Sequence, residues 1–384
     1  MKVLVIGAGI TGVTTAYYLA KAGYEVTIHD ERKYPAMATS YANGGQLSAS
    51  NAETWNSWRN VKKGIKWLAQ PDAPLKINLT PSLDKYSWFV KFLLEIKNRK
   101  VNTIETCRMS LEAHKLYKQI ADEEGIKFDK VEKGILHVYT TEEEFEQAWA
   151  TNDLYITAGL DRWEVSTEEI KTIEPALSNP NIIGGFYNTS DFTGDIHKFC
   201  VELEKVLEIK YGVVFKNDKI NKLDFDGPIV VCAGTGSRKL ASTIKENLPI
   251  YPVKGYSITI NNPGNAPWVS LLDEEAKIVT ARLGKNRLRV AGTAEFNGYN
   301  TDIIQARIRP LKHWAERMFE GINTEDIQPW AGLRPMTPSM MPIVKQSNNK
   351  SNVWYNTGHG HLGWTLSAYT AQTIAEKIRG YNGP

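Results

Sequence analysis

Six residues near the amino terminus, Gly7-Ala8-Gly9-Ile10-Thr11-Gly12, carry the spacing G-x-G-x-x-G. Each glycine meets a separate demand of a bound pyrophosphate. Gly7 permits a tight turn, Gly9 lets a phosphate approach the backbone, and Gly12 lets the following helix pack close to its strand. The helix opening at Ile10 and Thr11 points its free N–H groups and partial positive charge at an anion. Asp30 lies 18 residues beyond Gly12, where a carboxylate accepts from a ribose hydroxyl. Glu31 and Arg32 follow it in the sequence. Together these residues specify dinucleotide binding.

Two further glycine-rich stretches bear on which dinucleotide. One runs from Ser40 through Asn43, Gly44, Gly45, Gln46 and Leu47 to Ser48. The other, Asn356 to Thr365, reads NTGHGHLGWT and contains Gly358, His359, Gly360, His361, Leu362, Gly363, Trp364 and Thr365. Three such turns suit a long, buried cofactor better than a dissociating nicotinamide coenzyme. A flavin develops negative charge at its N1–C2 carbonyl edge on reduction, and N–H groups at a helix N-terminus stabilise that charge. His359 and His361 form an H-x-H pair, but no carboxylate or cysteine shares their turn, so no metal is expected.

The elements that must hold these residues follow from periodicity. Val3–Ile6 reads as a buried strand, Val13 to Ala20 as a helix stopped by Gly23, and Glu25–His29 as a second strand. Helices are expected over 101–125, 142–158, 195–211, 303–318 and 365–379. Short strands are expected at 134–139, 184–188 and 227–232. Between Tyr251 and Phe296, β-rich runs separated by Pro, Gly and Asn indicate an antiparallel sheet. The chain of 384 residues exceeds one ordinary core. We divide it into a nucleotide domain (1–50, 190–250, 326–384) and a substrate domain (51–189, 251–325).

Composition narrows the class. The net charge of +3 is too small to imply nucleic acid, and Cys107, Cys200 and Cys232 show no CxxC spacing. The first apolar run is itself the first strand, so no signal peptide is expected, and no run is long enough to cross a bilayer. One segment stands apart: Trp55 to Lys100 holds ten basic and three acidic residues and four of the eleven tryptophans. It reads either as a helical subdomain with a solvated basic face or as a segment lying in a membrane interface.

The motifs GAGITG, SYANGGQLS, YPVKGYS, TARLG, WAGLRPMTP and NTGHGHLGWT occur in order along the chain. The set resembles the D-amino-acid dehydrogenase family, within the glycine oxidase, sarcosine oxidase and D-amino-acid oxidase group. Lys62 to Leu75 resembles that family's insertion after the second glycine stretch. The resemblance implies an α/β (mixed α+β) fold, a Rossmann-like FAD-binding domain with an inserted antiparallel-sheet substrate domain. It also implies noncovalent FAD, because no cysteine lies near Arg334 or Met336. By the same resemblance, Arg334 in GLRP fixes the substrate carboxylate, with Gly332 beside it. His361 and Tyr256 line the substrate site, and Gly45, Gln46 and Leu47 pass beneath the flavin. Lys219 and Ile220 contact adenine, and Cys232, Ala233 and Gly234 form the turn near the ribose. The family's longer excursion between Leu223 and Gly227 is here reduced to Asp224-Phe225-Asp226.

The implied reaction is oxidation of an amino acid at Cα by hydride transfer, hydrolysis to a 2-oxo acid and ammonia, and electron transfer to a quinone or other carrier. The implied place is the cytoplasm, peripheral on the inner membrane's cytoplasmic face. Two alternatives stay open. One is an oxidase of glycine, sarcosine or a cyclic or N-alkyl amino acid. The other is a non-catalytic flavin-binding subunit of a heteromeric dehydrogenase.

Overall fold

The computed structural model describes residues 1–380 except 69, 71 and 72. Part of the insertion expected at Lys62 to Leu75, and the last four residues of the third nucleotide-domain segment, therefore lie outside the described residues. A six-stranded sheet runs in the order Ile343–Gln346, Val353–Thr357, Ile229–Val231, Lys2–Ile6, Glu25–Asp30, Val214–Asn217. All pairings in it are parallel except the edge pair Ile343–Gln346 with Val353–Thr357. Its central strands are near-continuous apolar runs because both faces are covered. The helices Ile10–Lys21, Ile196–Tyr211 and Gly363–Arg379 pack around Val13, Tyr17, Phe199 and Trp364 on one face. Leu240, Leu248 and Ile250 cover the other. Gly12 makes the close approach it was assigned: a Cβ there would lie 1.8 Å from the Gly7 carbonyl oxygen.

A nine-stranded mixed sheet forms the second layer system. Its long antiparallel core comprises Ile327–Met336, Tyr251–Asn261, Arg287–Phe296 and Ile278–Leu283. Ser270–Asp273 then joins Ile135–Tyr139 in parallel. The boundary expected at 326 is thereby corrected. Strand Ile327–Met336 pairs along its whole length with Tyr251–Asn261, so it belongs to the substrate-side sheet. The Leu223–Gly227 loop, short as it is, is tied down. Lys350 Nζ donates to the Leu223 carbonyl, and Asn352 Nδ2 to those of Phe225 and Gly227.

The basic segment is helical at Trp58–Leu68 and Leu83–Leu94. Its tryptophans divide. Trp88 is buried and donates to the Met336 carbonyl, whereas Trp58 is exposed. Leu83, Tyr86, Val90 and Leu94 form an exposed stripe at helical spacing, with Leu83 90% exposed. Among the described residues, no helix is long and apolar enough to cross a membrane.

Candidate active site

The two sheets meet over a continuous cavity of about 1360 Å³. All the expected cofactor residues line it except Gly12 and Leu47. Gly12 packs against Gly7 as described. Leu47 corrects an expectation: the pair Gln46–Leu47 bonds to Phe192–Thr193, and strand alternation turns Leu47 into the nucleotide-domain core.

At one end, Gly7 has φ +106°, and a Cβ there would lie 2.7 Å from the Cys232 carbonyl oxygen. Gly9 is the N-cap of helix Ile10–Lys21 and supplies no side-chain cap. Ser40 Oγ accepts from the Ile10 N–H, at 3.1 Å. The Asp30 carboxylate accepts from the N–H groups of Ala8 and Arg32, at 2.7 and 2.8 Å. These two bonds fix its orientation at the cavity wall and leave further lone pairs for a ligand hydroxyl. Lys219 pairs with Glu31 beside Ile220, with the Cys232-Ala233-Gly234 turn opposite.

In the middle, Gly44 and Gly45 run beneath the substrate sheet. A Cβ at Gly44 would lie 2.7 Å from Val279, and one at Gly45, where φ is +75°, 2.5 Å from Ala281. Asn43 Oδ1 accepts from the Gly45 N–H, and Arg289 donates to the Asn43 carbonyl. Gln46 lines the cavity but gives its amide to Ser270 Oγ and the Leu271 carbonyl.

The third turn has Gly358 at φ +75° and Gly360 at φ +58°, and helix Gly363–Arg379 begins without a side-chain cap. Thr365 Oγ1 accepts from the Ser48 N–H. The two histidines diverge. His359 bonds Thr370 Oγ1 at 2.9 Å, and burial pushes its pKa down to about 3. Among the described residues, no three His, Cys, Asp or Glu side chains gather as metal ligands. Three features suit FAD: a helix N-terminus open to the cavity, glycines where any side chain would collide, and Trp364 Nε1 buried without a partner among the described residues.

At the far end stands Arg334. On paired strands, Arg334 lies opposite Val253, Gly332 opposite Gly255, and Trp330 opposite Ser257, so their side chains share one face. A Cβ at Gly255 would lie 2.4 Å from the Arg334 guanidinium; glycine there is what lets the guanidinium lie over the strand. Arg334 Nη1 donates to the Thr293 carbonyl at 2.7 Å. Thr293 has φ +63° and sits in a β-bulge, where the register slips between Lys254 and Tyr256. The bulge re-aims that carbonyl. No carboxylate among the described residues pairs with Arg334, and burial alone lowers its pKa to about 10. Its accessible part opens into the cavity.

His361 stacks on Trp55 with ring centroids 4.8 Å apart, and its Nε2 lies 3.4 Å from the Asn51 carbonyl oxygen. Burial, then the Arg334 charge, pushes it down to about 3, so its imidazole is neutral. Tyr256 lines the cavity, but not beside Arg334. It lies opposite Ala331, on the face away from Arg334, and its hydroxyl donates to Glu295 at 2.8 Å. Its ring packs in the core with Ile258 and Trp314. The residues that shape this end without having been singled out are Gly255, Thr293 and Trp55. Of these, only Gly255 left a signal, a glycine inside a strand run, which marks a close approach.

The family described as FAD dependent oxidoreductase matches residues 2–377. The chain is 53% identical to "D-amino acid dehydrogenase 3" of Mesorhizobium japonicum, covering 98% of this chain and 97% of that one. It is 40% identical to a D-amino acid dehydrogenase of Paramagnetospirillum magneticum, covering 99% and 95%. Among solved structures, glycine oxidase from Geobacillus kaustophilus aligns with a TM-score of 0.78 at 18% identity, covering 100% and 96%. The FAD-bound L-alpha-glycerophosphate oxidase of Mycoplasma pneumoniae aligns at 0.76 and 17%, covering 100% and 96%; these likenesses bear on fold. The chain belongs to the FAD-dependent oxidoreductase family, with the mixed α/β fold of that group.

Proposed function

We propose that this chain is a D-amino acid dehydrogenase that holds FAD noncovalently. It oxidises its substrate at Cα to an imino acid, which water converts to a 2-oxo acid and ammonia. The observation that carries this reading is Arg334, a half-buried guanidinium that pairs with no carboxylate among the described residues, at the end of a cavity lined by dinucleotide-binding turns. A cation in that state calls for an anion, and a carboxylate fits its planar fork. Relatives named D-amino acid dehydrogenases support the substrate class.

FAD supplies the acceptor for the Cα hydrogen, which leaves as hydride. The chain's own residues do the holding and positioning. The Gly7–Gly12 turn and Asp30 take the pyrophosphate and ribose, and the Gly358–Thr365 turn offers N–H groups at a helix N-terminus. Arg334 anchors the carboxylate and so fixes where Cα lies. His361, being neutral, adds no second charge beside Arg334, and its ring is held in place by stacking on Trp55. The amine enters neutral or sheds its proton on binding, so no side chain is needed as an obligatory base.

Anaerobic titration of the purified yellow protein tests this reading. D-amino acids should bleach the flavin and L-enantiomers should not. Bleaching only by N-methyl or achiral substrates would overturn the assignment of substrate. No bleaching by any amino acid would point to a non-catalytic subunit. Gly45→Ala, which forces a Cβ onto Ala281 at a left-handed backbone position, should purify with flavin content reduced about tenfold, read from absorbance per polypeptide.

The electron acceptor is a quinone or other carrier met at a membrane surface. The support is the exposed stripe of Leu83, Tyr86, Val90 and Leu94, with Lys91 and Lys97 nearby. Such a stripe beside basic residues suits an anionic interface. Replacing Leu83 and Leu94 together by Glu should weaken flotation with anionic vesicles by about tenfold or more, with soluble-acceptor turnover retained. Equal flotation of both proteins would remove the stripe from the contact.

A further inference from the structure

The cavity does not end at Arg334. Past His361 it continues into a chamber walled by the turn Asn51–Trp55, helix Glu142–Ala158 and the strand end at Tyr139. His361 stands at the junction, close enough to feel the positive charges of both Arg334 and Lys277. The chamber is strongly charged, and most of its charges are matched. Arg99 pairs with Glu53, and Lys277 with Glu274. Glu144 accepts from Lys63 and from Arg59, which also reaches Glu143.

Arg162 is the exception. It lines the cavity, is 4% exposed, and forms no ion pair with a carboxylate among the described residues. Its Nη2 donates to the Tyr139 hydroxyl at 3.1 Å, and its Nε is buried without a partner. The rings of Phe186 and Tyr155 lie 4.6 and 5.4 Å from its guanidinium carbon. Aromatic faces hold a cation in place but leave its in-plane donors unsatisfied. The nearby buried carboxylate, Asp191, is already saturated by donors from Ala49, Ser50 and Asn188. A buried guanidinium of this kind is completed by a planar anion.

We propose that the chamber beyond His361 receives the substrate's side chain, and that Arg162 selects a D-amino acid whose side chain ends in a carboxylate. This rests on the reading of the chain as a D-amino acid dehydrogenase. Arg334 then holds the α-carboxylate and Arg162 the distal one. A neutral amide in the same place would bring no charge to the guanidinium and only one acceptor oxygen to its planar fork.

The test compares kcat/KM, with an artificial electron acceptor, for D-glutamate against D-glutamine and D-aspartate against D-asparagine. The acid is expected to exceed its amide by about 10- to 100-fold in at least one pair. Arg162→Leu should collapse that ratio toward one, with Arg162→Lys between. A second readout is independent of turnover: glutarate should perturb the oxidised flavin spectrum at about tenfold lower concentration than butyrate, and Arg162→Leu should erase the difference. Where Arg162→Leu fails to fold, Arg162→Gln takes its place. A wild-type ratio of one or less, or a preference that survives in the variant, overturns the proposal. A flavin that bleaches with D-alanine but not with acidic D-amino acids defeats this proposal alone. A flavin bleached by no D-amino acid defeats the underlying reading.

Discussion

Replacing Arg334 by alanine is expected to raise KM for the amino acid by about 100-fold or more while the purified protein stays yellow. Removing one partner of a buried, hydrogen-bonded charge pair costs roughly 2–5 kcal/mol, and 1.4 kcal/mol is about tenfold in affinity. The loss should fall on KM more than on flavin content, because the glycine turns that suit the dinucleotide lie elsewhere along the cavity. Thermal stability should move the other way. Without substrate, the guanidinium is a half-buried cation held by one bond to the Thr293 carbonyl, and burial disfavours its charge. Arg334→Leu should therefore hold or raise Tm while abolishing saturation. Gly255→Ala tests the position rather than the charge. Its methyl meets only the flexible tip of Arg334, at 2.4–2.8 Å, so the fold accommodates it and the guanidinium moves. KM should rise with little change in Tm. A KM within threefold of wild type in Arg334→Ala and Gly255→Ala would remove Arg334 from the substrate.

What the sequence made legible divides along physical lines. The Gly7–Asp30 unit and the Gly358–Thr365 turn were readable because glycine spacing, helix start and strand end are local and each residue type has its own steric reason. Strand Ile327–Met336 was misplaced because its partner, Tyr251–Asn261, is remote in sequence, and an apolar strand does not announce its sheet. That Tyr256 and Arg334 lie on opposite faces was illegible for a related reason. Ten consecutive positions from Tyr251 are buried, so no polar alternation separates the two faces of that strand. Thr293 carried no signal, since a β-branched residue is an unusual occupant of positive φ and only the bulge enforces it. Arg162 sits in the stretch Leu160-Asp161-Arg162-Trp163-Glu164, which reads as a solvated loop. Its burial depends on Tyr155 and Phe186 arriving from other elements.

The largest stability effect is expected at Asp191, which meets the glycine-rich stretches only through the Ser48 hydroxyl, at 3.3 Å. Asp191 is fully buried and accepts from the N–H groups of Ala49 and Ser50, at 2.9 and 3.1 Å, and from the Ser50 hydroxyl at 2.6 Å. Asn188 Nδ2 adds a further bond at 3.1 Å. Ser50 Oγ in turn lies 2.8 Å from His137 Nε2, and His137 Nδ1 lies 3.1 Å from Glu274. One carboxylate thus ties the turn beneath the cavity to two strands of the substrate sheet and to the Glu274 corner. Asp191→Ala leaves several buried donors without acceptors at once, and such a loss costs about 3–5 kcal/mol. For a chain of 384 residues that corresponds to a Tm lowered by about 4–6 °C. Asp191→Asn keeps the shape and one acceptor oxygen but turns a donor toward the Ser50 N–H or hydroxyl, so it should recover only part of the loss. The turn held by Asp191 also carries Asn51, whose carbonyl meets His361. Substrate KM should therefore rise in these variants even at temperatures where circular dichroism reports a folded protein. A Tm within 2 °C of wild type in Asp191→Ala would show that water or a rearranged Ser50 replaces the carboxylate.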